Sequence, residues 1–261
     1  MDYDTILYET TNNVVNITLN RPETLNAFND KMIAETTAAF KQAGRDAAIR
    51  CIVLTGSGKA FSSGQDLKDS LGRQGDFSIG EHVRRGYNEM IMAMVTLEKP
   101  VIAAVNGVAA GAGCSVALAA DLRIASHKAS FIQSFSRVGL VPDSGSTWTL
   151  PKLIGYARAY EMAVTAERVT AEKALEWGLV NEVVPDEQLP EVVAAWARSL
   201  AEGPTLAFGL TKKAMRQASN LSLADALEYE SYLQEIAGRS HDFQEGVRAF
   251  IEKRDPNYKG E

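Results

Sequence analysis

One carboxylate in this chain has a setting suited to chemistry: Asp143 in "GLVPDSGST", between Pro142 and a Ser-Gly-Ser run. Two roles fit it. Its oxygens can cap the helix expected to begin near Ser144, since Asp is a favoured N-cap residue. Held out of water, it can instead carry a proton as a general acid or base. Residue type alone leaves both open.

Two glycine-rich turns could supply the rest of a site. "AFSSGQDL", residues 60–67, follows the apolar run "CIVLTG", and "NGVAAGAGCS", residues 106–115, follows "VIAAV" and opens a helix. Small residues let a backbone approach a ligand closely, and N–H groups at a helix start favour a developing negative oxygen. Tight turns that merely let helix pack on sheet would read the same way.

Other chemistry is thinly represented. "TGSGKAF" has Ala60 where a phosphate loop needs Ser or Thr, and Val53 where it needs its first glycine; "GAGCSV" offers Val116 instead of the last glycine of a dinucleotide fingerprint. His82, His127 and His241 lie in polar stretches with no nucleophile elbow, and read as surface residues. Cys51 and Cys114 lack both metal-ligand spacing and a disulfide framework, which predicts buried free thiols, a reducing compartment and no metal site.

The elements that must position these residues follow from periodicity. With 261 residues and 46% hydrophobic content the chain can bury a full core. "ILYETTNNVVNITL" predicts a hairpin turning at Asn12-Asn13, and residues 29–43 a helix. "CIVLTG", "VIAAV", "LRIAS" and "LVNEVV" predict strands separated by helical or glycine-rich segments, an α/β succession. A helix is expected over residues 81–97, with Met90, Met92 and Met94 as core or pocket lining, after a mobile loop over residues 70–80. From residue 189 the pattern turns wholly helical, so an α/β core over 1–188 and a helical region over 189–261 are expected.

A net charge of −6 argues against nucleic acid as the main partner. The longest apolar stretch is broken by Asn106, Gly107, Gly111 and Gly113, so no membrane span is expected, and the acidic first residues do not resemble a signal peptide. A cytoplasmic protein is the expectation.

Several motifs in register carry a family resemblance: "NRPETLNAF", "AFSSGQDL", "KPVIAAVNGVAAGAG", "AADLRIAS", "GLVPDSGSTWTLPKLIG", "ALEWGLVNEVVP" and "FIEKRDPNYKG". In this order and spacing, over essentially the whole chain, the sequence resembles the enoyl-CoA hydratase/isomerase (crotonase) superfamily. The resemblance implies a crotonase-like spiral of ββα turns with a C-terminal helical trimerisation region, assembled as a homotrimer or as a hexamer made of two trimers. It implies an acyl-CoA thioester substrate, with coenzyme A as part of that substrate and no separate cofactor. It assigns the backbone N–H groups that stabilise the enolate to Gln65 and Ala112, and contacts with the CoA moiety to Ala27, Gln65, Asp66, Leu67 and Lys68.

Hydratases of the family carry two glutamates, whose positions here hold Ser115 and Phe135. Neither moves a proton at neutral pH, so water addition is not expected. Asp143 falls where members that work with a single base carry a carboxylate. The resemblance therefore points to acyl-CoA isomerisation, foremost the conversion of ring-1,2-epoxyphenylacetyl-CoA to oxepin-CoA in phenylacetate degradation, with a 3-enoyl to 2-enoyl shift as a possible companion activity. A general enoyl-CoA isomerase, an aryl-CoA dehalogenase and a non-enzymatic CoA-ester or RNA-binding relative are the alternatives.

Overall fold

The structure is a computed structural model that describes residues 3–67 and 78–261. Lys68 and most of the loop expected over residues 70–80 lie outside the described residues.

The chain begins with the expected hairpin. Strands β1 (Ile6–Thr11) and β2 (Val14–Leu19) pair antiparallel across Asn12 and Asn13, at φ 49° and 62°. Positive φ at both turn residues lets the turn match the strand twist, and Asn tolerates it. Four strands then add in parallel: β3 (Cys51–Gly56), β5 (Val101–Val105), β7 (Leu122–Ser126) and β10 (Glu182–Val184). The sheet order is β1-β2-β3-β5-β7-β10. Its inner strands read as continuous apolar runs because both faces are covered. Phe40, Met90 and Met94 belong to the larger cluster on one side. On the other side Leu189, Val193, Ala197 and Ala201, at helical spacing on the helix Leu189–Glu202, pack against Val53, Ile102, Ala104 and Ile124. The first helix of the C-terminal region thus helps close the core.

A second, smaller sheet is built from β4 (Ala60–Ser62), β6 (Val108–Ala110), β8 (Ser130–Ile132) and β9 (Val169–Thr170), in the order β4-β6-β8-β9. Each of β4, β6 and β8 follows a strand of the large sheet and precedes a helix, which produces the recurring ββα turn. These strands were not legible in the sequence. At two or three residues they are too short for a period, and β6 lies inside a stretch that reads as a glycine-rich turn.

The helix expected over residues 29–43 is Asp30–Arg45, with the Asn29 side chain accepting the Met32 N–H as its cap. The one expected over 81–97 is not continuous. It runs Ile79–His82, passes through a π-turn at Val83–Tyr87, and resumes as Asn88–Val95. Met90 and Met94 are buried as expected, while Met92 is exposed.

Beyond the helices Thr205–Ala218, Leu223–Gly238 and His241–Glu252, the chain end is pinned to the core. The buried Asp242 carboxylate accepts the N–H groups of Lys259 and Gly260, each at 2.7 Å, and Arg50 donates to the Tyr258 carbonyl at 3.0 Å. Among the described residues, no helix is long and apolar enough to cross a membrane.

Candidate active site

The "RPETLNAF" segment acts as a bracket for the "AFSSGQDL" turn. Asn26 is buried at φ 56°, and its amide donates to the carbonyls of Ser57 at 2.9 Å and Ala60 at 2.8 Å. Arg21 donates to the Ala27 carbonyl at 2.7 Å and pairs with Asp66 at 3.0 Å. The Phe28 N–H donates to Gly64 at 2.7 Å, and the Asp66 N–H donates back to Phe28 at 2.8 Å. Ala27, Gln65 and Asp66 are thereby brought together, with Leu67 exposed at the end of the turn.

Ala112 stands at the first position of the helix Ala112–Ala119, directly after Gly111 at φ 50°. At that position an N–H has no acceptor within its own helix. The two turns meet here. A methyl group added to Gly64 would lie 2.7 Å from the Ala110 carbonyl oxygen and 3.3 Å from the Ala112 nitrogen, and one on Gly113 would lie 2.5 Å from the Ser62 carbonyl oxygen. Glycine is required at both because backbone passes against backbone. The Ala112 nitrogen is itself one of these contacts, and Gln65 directly follows Gly64.

The helix-cap reading of Asp143 does not hold. The following helix is Ser146–Ile154, its cap residue is Gly145, and no side chain caps it. The Asp143 carboxylate instead accepts the Ser144 hydroxyl at 2.8 Å. Partial burial pushes its carboxyl above the ordinary Asp range, opposed by the Ser144 hydrogen bond and by the His82 ring. Desolvation penalises the charged form, as it does for acids held ready to exchange protons.

The expectation that all three histidines sit at the surface fails for His82. His127 and His241 are exposed, but the His82 side chain retains only 12% exposure and its two ring nitrogens face different partners. Nε2 lies 3.1 Å from Gln65 Oε1, and Nδ1 lies 3.4 Å from Asp30 Oδ1. The buried Tyr87 hydroxyl donates to the same Gln65 Oε1 at 2.7 Å. Burial, then the charges of Asp143 and Asp30, raise the Tyr87 phenol well above its usual value. Tyr87, Asp30 and His82 are not legible as one cluster in the sequence, because they stand five or more positions apart on elements with no shared period.

The positions at which a hydratase would carry its two acids are apolar or neutral. Ser115 is buried, its hydroxyl donating to the Gly111 carbonyl at 3.3 Å, and Phe135 is buried in the larger core cluster. Cys51 and Cys114 are free and buried, their thiols pushed up to about 12 by desolvation, so neither is a nucleophile at neutral pH. Among the described residues no group of three or more His, Cys, Asp or Glu could hold a metal.

A spiral of ββα turns, with two glycine-bearing turns meeting backbone to backbone and a partly buried carboxylate, Asp143, that interacts electrostatically with His82 and Tyr87, has clear relatives. Residues 9–261 match the family model described as enoyl-CoA hydratase/isomerase. The chain is 46% identical over 259 residues, 98% of each chain, to the 1,2-epoxyphenylacetyl-CoA isomerase of Escherichia coli. It is 47% identical over 260 residues, 100% of each chain, to a Rhodobacter capsulatus protein named probable enoyl-CoA hydratase. The crystal structure of an enoyl-CoA hydratase from Bacillus anthracis superposes with a TM-score of 0.94 at 35% identity, covering 99% of this chain and 100% of that one. The chain belongs to the enoyl-CoA hydratase/isomerase family, and is an enzyme of the crotonase superfamily.

Proposed function

We propose that this protein is an acyl-CoA isomerase that works with one carboxylate, Asp143, and an oxyanion hole formed by the N–H groups of Gln65 and Ala112. The observation that carries the reading is the asymmetry of acids. One desolvated carboxylate stands at Asp143, while Ser115 and Phe135 occupy the positions of a hydratase pair. Water addition needs groups to hold and deprotonate the water as well as to protonate carbon. Isomerisation needs a single group, since the proton taken from one carbon is returned at another and composition is unchanged.

In this reading the thioester is bound as part of coenzyme A along Ala27, Gln65, Asp66, Leu67 and Lys68, with no separate cofactor. Asp143 removes a proton from a carbon near the thioester, and the resulting enolate oxygen is held by the two N–H groups. Losing one such donor typically costs around 3 kcal/mol of transition-state stabilisation. The preferred substrate is ring-1,2-epoxyphenylacetyl-CoA, rearranged to oxepin-CoA. Support comes from the 46% identity to the Escherichia coli isomerase of that name. The same groups suffice for a 3-enoyl to 2-enoyl shift.

A second reading, aryl-CoA dehalogenation with Asp143 as nucleophile, gains from the electrostatic coupling of His82 to Asp143. It would also need a tryptophan in the segment that here offers Ile132, Gln133 and Phe135. Turnover of a panel separates these: epoxyphenylacetyl-CoA, a 3-enoyl-CoA, crotonyl-CoA and a 4-halobenzoyl-CoA. Rearrangement of the first at the highest kcat/KM is expected. Halide release as the main activity, or hydration of crotonyl-CoA at a comparable rate, would overturn the single-base isomerase.

A further inference from the structure

A cavity of about 720 Å³ opens between the start of β7 and the helices Asn88–Val95, Ser146–Ile154 and Thr205–Ala218. Its lining is mainly apolar, with Ile91, Val95, Leu118 and Phe208 among the residues, but its charges are lopsided. Arg123, Lys152, Lys212 and Arg216 line it against one carboxylate among the described residues, Asp121. That carboxylate is already engaged: it accepts from Lys212 at 2.7 Å and from the Val101 N–H at 2.9 Å. Arg123 is buried and spent on the carbonyls of Leu179, at 2.7 Å, and Ala120, at 2.6 Å.

Lys152 and Arg216 make no ion pair among the described residues. Both approach one half-exposed ring: the Lys152 ammonium lies 3.1 Å from the Trp148 centroid, and the Arg216 guanidinium 5.6 Å from it. Partial desolvation, then the charge of Arg216, lowers the Lys152 pKa. An aromatic face compensates a cation only in part. An anion seated beside both cations would relieve their repulsion through charge-assisted hydrogen bonds, and a carboxylate matches the guanidinium fork in shape. The apolar lining calls for an apolar body on that anion, and the volume suits a small molecule. An inorganic ion would leave the lining wet, and an uncharged lipid would leave two cations unmatched.

We propose that this cavity binds a hydrophobic carboxylic acid, its carboxylate held by Lys152 and Arg216 beside Trp148 and its chain or ring lying against Ile91, Val95, Leu118 and Phe208. The site is separate from the acyl-CoA site, because Gln65, Ala112 and Asp143 do not line it. Nor do the uncovered residues Tyr156, Leu223, Phe250 and Ile251. The two sites adjoin at Gly145, which lines the cavity two residues beyond Asp143.

The test titrates the full-length protein, in its native assembly, with decanoate below its micelle concentration. Calorimetry should show saturable binding at one site per chain, and tryptophan fluorescence should change in the wild type but not in Trp148→Phe. 1-Decanol and inorganic phosphate, which carry the body and the charge separately, should each bind about tenfold more weakly or worse. Lys152→Gln, at an exposed position, and Arg216→Gln should each weaken decanoate by about tenfold, the usual worth of a hydrogen bond to a charged group. Saturating phenylacetyl-CoA should leave decanoate affinity within about twofold. Absence of saturable binding, as a second copy of the chain filling the cavity would produce, overturns the proposal. So does equal binding of decanol or of phosphate, or indifference to Lys152→Gln and Arg216→Gln in folded protein. Displacement by phenylacetyl-CoA would show that decanoate occupies the acyl-CoA site instead, which also overturns it.

Discussion

The Ser144 hydroxyl donates to Oδ1 of Asp143 at 2.8 Å, from a residue held in left-handed backbone at φ 53°. That conformation is unfavourable for a side chain with a Cβ, by roughly 1–2 kcal/mol. The helix starts only at Ser146, and its cap position falls to Gly145 with no side chain capping it. The Asp143 carboxylate is therefore not engaged as the helix cap.

Asp143→Asn keeps shape and removes the base. Turnover of the preferred acyl-CoA should fall by roughly two to four orders of magnitude, the usual worth of a positioned acid or base. Binding of phenylacetyl-CoA should remain within several-fold of wild type by calorimetry. An Asn variant within threefold of wild-type kcat would return Asp143 to a structural role.

The same substitution should leave thermal stability at pH 7 unchanged or raise it. Burial raises the Asp143 pKa above its unfolded value, so the ionised form opposes folding at any pH above the folded pKa. As pH drops through that pKa the group protonates and the penalty fades, and any stability gained by Asp143→Asn should fade with it. Melting curves at pH 7 and near pH 4 read the sign. A variant that is several degrees less stable at pH 7 would contradict the account.

The acid limb of the kcat/KM profile should lie above the value of about 3.9 expected for free Asp. Desolvation makes protonation easier, so the base is lost at a higher pH than in water, with the Ser144 hydrogen bond and His82 limiting the rise. Ser144→Ala removes one of the opposing effects and should move the limb further up. A downward displacement in that variant would show that some other group titrates.

Restoring one glutamate should not create a hydratase. Ser115→Glu places a carboxyl at the buried start of a helix, with no acid at Phe135 to share the water. Crotonyl-CoA hydration by the wild type and by this variant should both remain far below isomerase turnover. Robust hydration by the wild type, measured by loss of the enoyl absorbance, would show that one base can do both reactions; robust hydration by the variant alone would show that a carboxyl at 115 can work together with Asp143.

Self-association is expected, as a homotrimer or as two trimers. Leu223 is 77% exposed, Phe250 is 86% exposed, and Ile251 and Tyr156 are also uncovered in the single chain. Large exposed apolar groups in such numbers mark surfaces that other chains cover. Light scattering at micromolar concentration should give three or six chains; a strict monomer would oppose the assembly.

Much of the molecule was determined by local pattern. The hairpin at Asn12-Asn13, the large-sheet strands and the C-terminal helices follow from alternation, turn chemistry and helical spacing, which act over a few residues. Asp143, Gln65 and Ala112 could be singled out because carboxylate and glycine-rich stretches have a chemistry of their own. Tertiary structure alone decided how these parts meet. The short second sheet exists only because strands of two or three residues find partners far along the chain. The cap was assigned by the backbone angles of Ser144 and Gly145, which no residue type dictates. His82 and Tyr87 reach Gln65 across 17 and 22 positions, through a π-turn that follows no amphipathic period. Hydrogen bonds of that kind depend on angles and distances set by the packed core, and a sequence pattern records only which neighbours are close along the chain.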